Sequence, residues 1–155
     1  MGEAREVMDR LTEAMISRDS GAIEGLYAAH AVAVTPDEGE VRGPREIAEW
    51  SQAFLAAFPD AQFESLAAHE SGNTAIDEGY LVGTNTGPLL SPTGESMPAT
   101  GKSVRLRSCD VATVENGVIT RHHFYFDQME LINQLGLTEA GARHVSRPTR
   151  PRRAP

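Results

Sequence analysis

The sequence contains a single cysteine, few aromatic residues and no long hydrophobic run. Cys109 is the one cysteine among 155 residues, which excludes an intrachain disulfide. A lone thiol is typical of the reducing cytoplasm, so we expect a cytoplasmic protein. No apolar stretch has the length of a signal-peptide core or of a membrane-spanning helix, and we expect no membrane partner.

Motifs for metals and cofactors are also missing. The cysteine and the histidines do not cluster at the spacing of a zinc site. The glycines match neither the dinucleotide fingerprint nor the phosphate loop. The adjacent pair His122-His123 is a poor chelate on a strand, because neighbouring strand residues point to opposite faces. We therefore expect neither a metal nor a cofactor.

The charge is distributed unevenly along the chain. The formal net charge is −8, yet residues 143–155 contain five arginines and no acidic residue. Without them, nine basic residues face 22 acidic ones, so the body carries −13. An acidic body argues against nucleic acid as a partner. The sequence predicts one domain over residues 1–140 and a disordered, basic Pro/Arg-rich tail over residues 141–155, for which an anionic partner is the alternative role.

The hydrophobic period changes along the chain from that of a helix to that of a strand. The predicted helices cover residues 4–17, a short segment capped by Ser20, a segment that begins at Pro44, and residues 128–135. The predicted strands cover residues 31–35, 61–70, 74–85, 103–115 and 118–127. Residues 86–101 form a long loop, and a loop of this length is typical of a functional segment such as a lid.

This order of elements predicts an α+β domain. An antiparallel sheet can bury one face against helices. We therefore expect a cone-shaped, curved antiparallel sheet wrapped around three N-terminal helices, with a pocket at the open end. Trp50 and Phe54 lie on the apolar face of the third helix and are candidates for the core or for the pocket wall. Tyr80 is a further candidate for substrate binding.

Asn116-Gly117 is the clearest local signal, because both residues tolerate the positive φ of a type I′ turn between two strands. A two-residue turn pairs Glu115 with Val118, and the later pairs follow by counting outward.

A regular register places Asp110 opposite His123, and opposed residues share a sheet face. One face then carries Asp110, His123, Tyr125 and Asp127. The other face carries Cys109, Val111, His122, Phe124 and Phe126.

Two carboxylates, an imidazole and a phenol on one face are suited to acid–base chemistry. Asp110 can fix the tautomer of His123 and raise its basicity, or the two can form a cross-strand pair that only stabilises the sheet. Asp127 is the candidate acid and base, although the run from Asp127 to Glu130 also fits a capping box for the last helix.

The other face predicts an interface. Phe124 and Phe126 would be apolar groups on the outside of the sheet, which indicates that another surface covers them. We expect a homodimer through this outer face. Cys109 has no acid–base partner there, so we expect a packed residue and not a nucleophile.

Several segments resemble one protein family. They are FPDAQFE at 58–64, GTNTGPL at 83–89, ATGKSV at 99–104, VENGVI at 114–119 and YFDQMELINQLGL at 125–137. The chain resembles the SnoaL-like polyketide cyclases of the nuclear-transport-factor-two-like superfamily, which also includes ketosteroid isomerase. The resemblance implies that Asp127 is the general acid and base. Asn85 stands where many of these cyclases have a histidine, and an amide cannot shuttle a proton at neutral pH.

These observations together predict a cofactor-independent cyclase or isomerase acting on an apolar, carbonyl-bearing small molecule such as a polyketide. Asp127 would act as base and then as acid, while His123, oriented by Asp110, would protonate or polarise the developing oxyanion. Asn85 and Tyr125 would bind substrate oxygens. Two alternatives stay open, namely an epoxide-opening enzyme assisted by Arg121 and a non-catalytic ligand-binding or dimerisation domain.

Overall fold

The computed structural model describes residues 2–90 and 94–137. The helices in this part of the chain are α1 Glu3–Ile16, α2 Ser20–Gly25, α3 Pro44–Ala56 and α4 Gln128–Gln134. The strands are β1 Tyr27–Thr35, β2 Gly39–Arg42, β3 Gln62–Ser71, β4 Thr74–Thr84, β5 Leu89–Leu90, β6 Ser96–Met97, β7 Ser103–Glu115 and β8 Val118–Phe126. The predicted basic tail, residues 141–155, lies outside the described residues.

The main sheet has six strands in the order β2-β1-β8-β7-β4-β3. All neighbours are antiparallel except β1 and β8, which run parallel. Helix α1 packs against β3, β4 and β7, while α3 packs against β1 and β2. The predicted α+β cone, a curved sheet around three N-terminal helices, is confirmed.

Two strand irregularities help to bend the sheet. In β3, Leu66 lies between Ser65 and Ala67 without a partner in β4, so the strand bulges there. The opposite residue is Gly79, where a Cβ atom would lie only 2.2 Å from the Glu64 carbonyl oxygen. A second bulge, in β8, determines the candidate site and is described below.

Most differences between the predicted and the observed secondary structure concern short helices and strands. Strands β2, β5 and β6 were not predicted, because runs of two to four residues are too short to show alternation. β5 and β6 form a small ladder inside the predicted 86–101 loop. Ser20, the predicted N-cap of the second helix, is instead the first residue of α2, and the N-cap is Asp19, whose Oδ1 accepts from the Ala22 N–H at 3.0 Å.

Asn85 joins the ends of this loop to the end of α3. Its side chain is buried, with 1% of its surface exposed. The amide nitrogen donates to the carbonyl oxygens of Ala57 at 3.0 Å and Gly87 at 2.9 Å. The amide oxygen accepts from the backbone N–H and from the hydroxyl of Thr100, both at 2.9 Å. These contacts use every hydrogen-bonding group of the Asn85 side chain for structure.

We expect Asn85→Ala to lower the free energy of unfolding by about 3 kcal/mol, because buried groups left without a hydrogen-bond partner cost about 1–3 kcal/mol each. Urea unfolding followed by circular dichroism measures this loss. Asn133→Ala, an exposed asparagine in α4, is the matched control and should change stability by less than about 0.5 kcal/mol. Equal losses in the two variants would contradict the anchoring role.

Candidate active site

The turn at Asn116-Gly117 forms as predicted and pairs Glu115 with Val118. The register changes a few residues later, because Thr113 pairs with Arg121 and leaves Thr120 without a partner in β7. From this bulge onward, Asp110 pairs with Phe124. The predicted pairing of Asp110 with His123 is therefore wrong by one residue.

The bulge turns His122 into the interior, next to Asp110. The His122 side chain is fully buried, and its Nε2 lies 2.6 Å from Oδ2 of Asp110. Its Nδ1 lies 2.7 Å from the hydroxyl of Tyr27, which is also buried. Asp110, His122 and Tyr27 thus form a hydrogen-bonded chain that runs from β7 through β8 to β1.

The protonation of Tyr27 orients this chain. Burial, and next the charge of Asp110, raise the pKa of Tyr27 well above its usual value. The phenol therefore keeps its proton and can donate it in a hydrogen bond to Nδ1 of His122. Nε2 of His122 then carries the ring proton and donates to the Asp110 carboxylate. This arrangement holds Oδ2 of Asp110 in place.

Asp110 also faces an apolar cavity of about 110 Å³ between the sheet and helices α1 and α3. Its walls are mainly the side chains of Met15, Trp50, Phe54, Leu106, Phe124 and Phe126. Asp110 is the only ionisable group among the described residues of the lining. Of the Asp110 side chain, 16% is exposed, so the carboxylate can meet a ligand while His122 cannot.

Three hydroxyl groups complete the polar part of the cavity, from Thr12, Ser51 and Ser108. The Thr12 hydroxyl donates to the Met8 carbonyl oxygen at 3.1 Å. Ser51 and Ser108 have no side-chain hydrogen bond within the described residues, so both are able to donate to an oxygen of a ligand.

A second carboxylate lies next to Asp110. Asp77 is its direct partner across β4 and β7, and Arg5 neutralises it with contacts of 2.7 and 2.9 Å. Burial raises the pKa of Asp77; the hydrogen bond from Arg5 opposes the rise and the charge of Asp110 adds to it. Arg5 is itself buried and is also paired with Asp9 at 2.8 Å. One guanidinium thus compensates the charge beside the cavity.

The structure places the other predicted catalytic residues outside this cavity. His123 and Tyr125 lie on the outer face, where Nδ1 of His123 is 3.1 Å from the Tyr125 hydroxyl. Asp127 is exposed at the N-cap of α4, and its Oδ1 accepts from the backbone N–H groups of Met129 at 2.8 Å and Glu130 at 3.3 Å. Of the three predicted catalytic residues, only Asp110 reaches the cavity.

Of the predicted substrate-binding residues, two line the cavity and the others lie outside it. Trp50 and Phe54 line the cavity. Tyr80 lies on the outer face, with the Arg105 guanidinium 4.0 Å from its ring centroid. Asn85 does not line the cavity, and Tyr125 has 54% of its surface exposed to solvent.

Phe124 and Phe126 were predicted on the outer face, and this is wrong. The Phe124 ring lies 4.8 Å from Trp50 and 3.9 Å from His122, between centroids. The Phe126 ring lies 5.5 Å from Phe54. These two phenylalanines thus give no support to a covered outer face, and the homodimer stays a prediction.

Sequence reasoning missed His122 and Tyr27, although one signal for the bulge exists. Leu106 and Val114 mark the apolar face of β7, and Phe124 and Phe126 mark that of β8. A regular hairpin from the turn places these two sets on opposite faces, so one strand must contain an extra residue.

The described residues contain neither a metal-binding cluster nor a membrane-spanning helix. Within residues 2–90 and 94–137, no group of three histidine, cysteine, aspartate or glutamate side chains is placed to hold a metal ion. No helix in that part of the chain is both long and apolar enough to cross a membrane.

We expect Asp127→Ala to lower the free energy of unfolding by about 1 kcal/mol, the usual cost of losing an N-cap side chain. Thermal and urea unfolding measure the loss. Asp127→Asn keeps a capping oxygen and should lose less than the alanine variant. Equal losses in the two variants would show that the negative charge, and not the capping oxygen, supplies the stabilisation.

We expect Cys109 to react slowly with iodoacetamide at neutral pH. Burial, and then the charges of Asp110, Glu78 and Asp77, raise the pKa of this thiol. Since the thiolate is the reactive form, the rate should rise with pH around a midpoint above that of a small free thiol measured in parallel. A midpoint below that of the free thiol would contradict the assignment of Cys109 as a packed residue.

Known proteins share the family and the fold of this chain. The model of the SnoaL-like domain matches residues 8–122. A proposed SnoaL-like polyketide cyclase from Jannaschia sp. CCS1 is 15% identical, with a TM-score of 0.76 over 86% of this chain and 91% of that one. IdmH, a proposed polyketide cyclase from Streptomyces antibioticus, is 21% identical, with a TM-score of 0.73 over 87% of this chain and 99% of that one.

A third structure has a ketosteroid isomerase-like fold and comes from Catenulispora acidiphila. It is 17% identical, with a TM-score of 0.70 over 85% of this chain and 93% of that one. No curated protein sequence matches the chain. At these identities the solved structures establish the fold, and the family model covers most of the chain. The chain therefore belongs to the SnoaL-like domain family.

Proposed function

We propose that the protein is an acid–base enzyme in which Asp110 removes and returns a proton on an apolar, carbonyl-bearing small molecule. The reaction is an intramolecular, aldol-type cyclisation or an isomerisation, and it needs no cofactor. A cyclase-type role agrees with the family and with the proposed polyketide cyclases among its structural neighbours.

The observation that carries this proposal is the isolation of one carboxylate in an apolar cavity. His122 holds Oδ2 of Asp110 at 2.6 Å, while Oδ1 has no hydrogen-bond partner among the described residues. Oδ1 is therefore the oxygen that can accept a proton from a ligand. The aromatic and aliphatic walls exclude water from that proton transfer.

The cyclisation proceeds in two proton transfers. Asp110 takes a proton from the carbon next to a carbonyl group, and an enolate forms. The enolate carbon bonds to a second carbonyl carbon of the same molecule, whose oxygen becomes an alkoxide. The protonated Asp110 returns its proton to this alkoxide and regains its charge. In an isomerisation, the same proton returns to a different carbon.

The remaining groups position Asp110 and the substrate and stabilise the developing negative charge. The hydroxyls of Ser51 and Ser108 are the donors available for the enolate or alkoxide oxygen. His122 and Tyr27 act behind Asp110 as positioning residues. Packing against Trp50 and Phe54 holds the substrate near the Asp110 carboxylate and restricts it to folded conformers.

The structure favours this assignment over the two alternatives. The epoxide-opening alternative relied on Arg121, but Arg121 is exposed, with its Nε 2.8 Å from Nε2 of His123 on the outer face. No described residue of the cavity lining is basic. The non-catalytic alternative does not explain why a carboxylate, with its cost of burial, faces an otherwise apolar cavity.

Proton exchange tests the proposal without knowledge of the full substrate. The protein is incubated in D₂O at neutral pH with a panel of cyclic and aryl methyl ketones, and NMR follows the loss of the α-proton signals. We expect exchange of at least one ketone above the buffer rate. Asp110→Asn should reduce this increment by at least about 10²-fold, the usual contribution of a positioned base.

Asp127→Asn is the matched control, since it makes the same chemical change on the outer face. It should leave the exchange rate within about twofold of the wild type. The assignment is wrong if Asp127→Asn abolishes exchange and Asp110→Asn preserves it. Absence of exchange for every ketone would instead favour the ligand-binding alternative.

A further inference from the structure

A second, larger groove adjoins the cavity. It has a volume of about 510 Å³ and shares the side chains of Trp50, Phe54 and Phe126 with the cavity. These three rings therefore stand between the two spaces. On the far side the groove is lined by apolar side chains of α4 and of β5 and β6, including Leu89, Met97 and Leu131.

The size of the cavity makes this groove relevant to the substrate. The cavity measures about 110 Å³, whereas an apolar cavity that binds benzene in another protein measures about 150 Å³. A substrate larger than one small ring cannot lie wholly beside Asp110. The rest of such a molecule has to extend past Trp50, Phe54 and Phe126 into the groove.

The groove is strongly acidic on the side of α3 and the β1–β2 turn. Five carboxylate side chains line it, and no basic residue is among its described lining residues: Asp37, Glu38, Glu40, Glu46 and Glu49. Clefts lined by one sign of charge attract ligands of the opposite sign and repel those of the same sign.

Neutralisation of these carboxylates is incomplete. Glu40 pairs with Arg42, and Glu49 pairs with Arg45 at 3.0 Å, in two solvent-exposed ion pairs. Asp37 accepts the indole N–H of Trp50 at 3.1 Å and has no cationic partner among the described residues.

The two remaining glutamates, Glu38 and Glu46, have no side-chain partner within the described part of the chain. Together with Asp37 they leave three uncompensated negative charges in the groove that Trp50 also lines, and Asp37 contacts the indole itself. A ring face next to carboxylates is a favourable place for an organic cation.

We propose that the substrate carries a protonated amine, which lies in the acidic groove while its carbonyl-bearing part lies beside Asp110. This inference rests on the proposed function, because it assumes that the reacting carbon occupies the cavity. It also predicts discrimination, since a molecule that carries a carboxylate or a phosphate is repelled at the groove.

Three probes of one shape test the charge preference: 2-phenylethylamine, 2-phenylethanol and 3-phenylpropionate. Trp50 is the only tryptophan in the chain and lines both spaces, so its fluorescence reports binding in either. At neutral pH and low salt we expect the amine to bind at least about tenfold more tightly than the carboxylate, with the alcohol between them. Equal affinities, or tighter binding of the carboxylate, would overturn the proposal.

Variants that remove a negative charge show whether the groove is the source of the preference for the amine over the carboxylate. The double variant Glu38→Gln and Glu46→Gln should reduce the ratio of amine to carboxylate affinity by about fivefold or more and leave alcohol binding unchanged. Glu24→Gln, an exposed glutamate in α2 away from the groove, is the matched control and should not change the ratio. An unchanged ratio in the double variant would refute the groove as the amine site.

Asp110→Asn separates this inference from the proposed function. If the amine preference survives in Asp110→Asn, the groove carries it. If the preference disappears, Asp110 itself binds the amine and the inference fails, while ketone exchange still decides whether Asp110 is the base. Loss of exchange in Asp110→Asn without any amine preference would leave the proposed function standing and remove only the substrate class.

Discussion

Thr120 has no partner in β7, and this one unpaired residue inverts the faces of the rest of β8. A strand alternates its side chains with a period of two, so a one-residue bulge moves every later side chain to the opposite face. Here it turns His122 inward beside Asp110 and turns His123 outward. It also brings Phe124 against Trp50 on α3. The cavity, its carboxylate and the polar chain behind it all depend on this bulge.

The polar chain is stable only because each member satisfies the next. A buried imidazole or phenol without a hydrogen-bond partner costs about 1–3 kcal/mol. Both ring nitrogens of His122 are occupied, by Tyr27 and by Asp110. Arg5 compensates Asp77, which would otherwise place a second uncompensated carboxylate beside Asp110. A network in which both buried rings have all their hydrogen-bond partners holds its members in one geometry, and a fixed geometry is what a proton transfer requires.

The same structure separates residues that maintain the fold from residues that can meet a ligand. Asn85 is buried, and its side-chain hydrogen bonds fasten the ends of the 86–101 segment to the end of α3. The Asp127 carboxylate accepts a backbone hydrogen bond from the first turn of α4. Both halves of the chain thus build the cavity walls, while its acid–base group comes from the middle of β7.

The order of the longer elements and the turn at Asn116-Gly117 follow from the sequence alone, because these depend on neighbours in the chain. Asn116 and Gly117 have φ values of 53° and 78°, which few other residue pairs adopt readily. The bounds of β7 agree with the predicted strand for the same reason: its alternation is local and long. The family resemblance, too, rests on short runs of adjacent residues, and the family model confirms it.

Only the tertiary structure decided which face of β8 is buried. Counting from the turn places Phe124 outside, but the apolar residues of β7 and β8 can share one face only if a residue is skipped. The energy that favours the skip comes from packing Phe124 and Phe126 against Trp50 and Phe54, which lie about 70 residues earlier in the chain. The hairpin pattern indicates that a residue is skipped but does not contain that contact, so the partner of Asp110 is fixed only when the helices pack against the sheet.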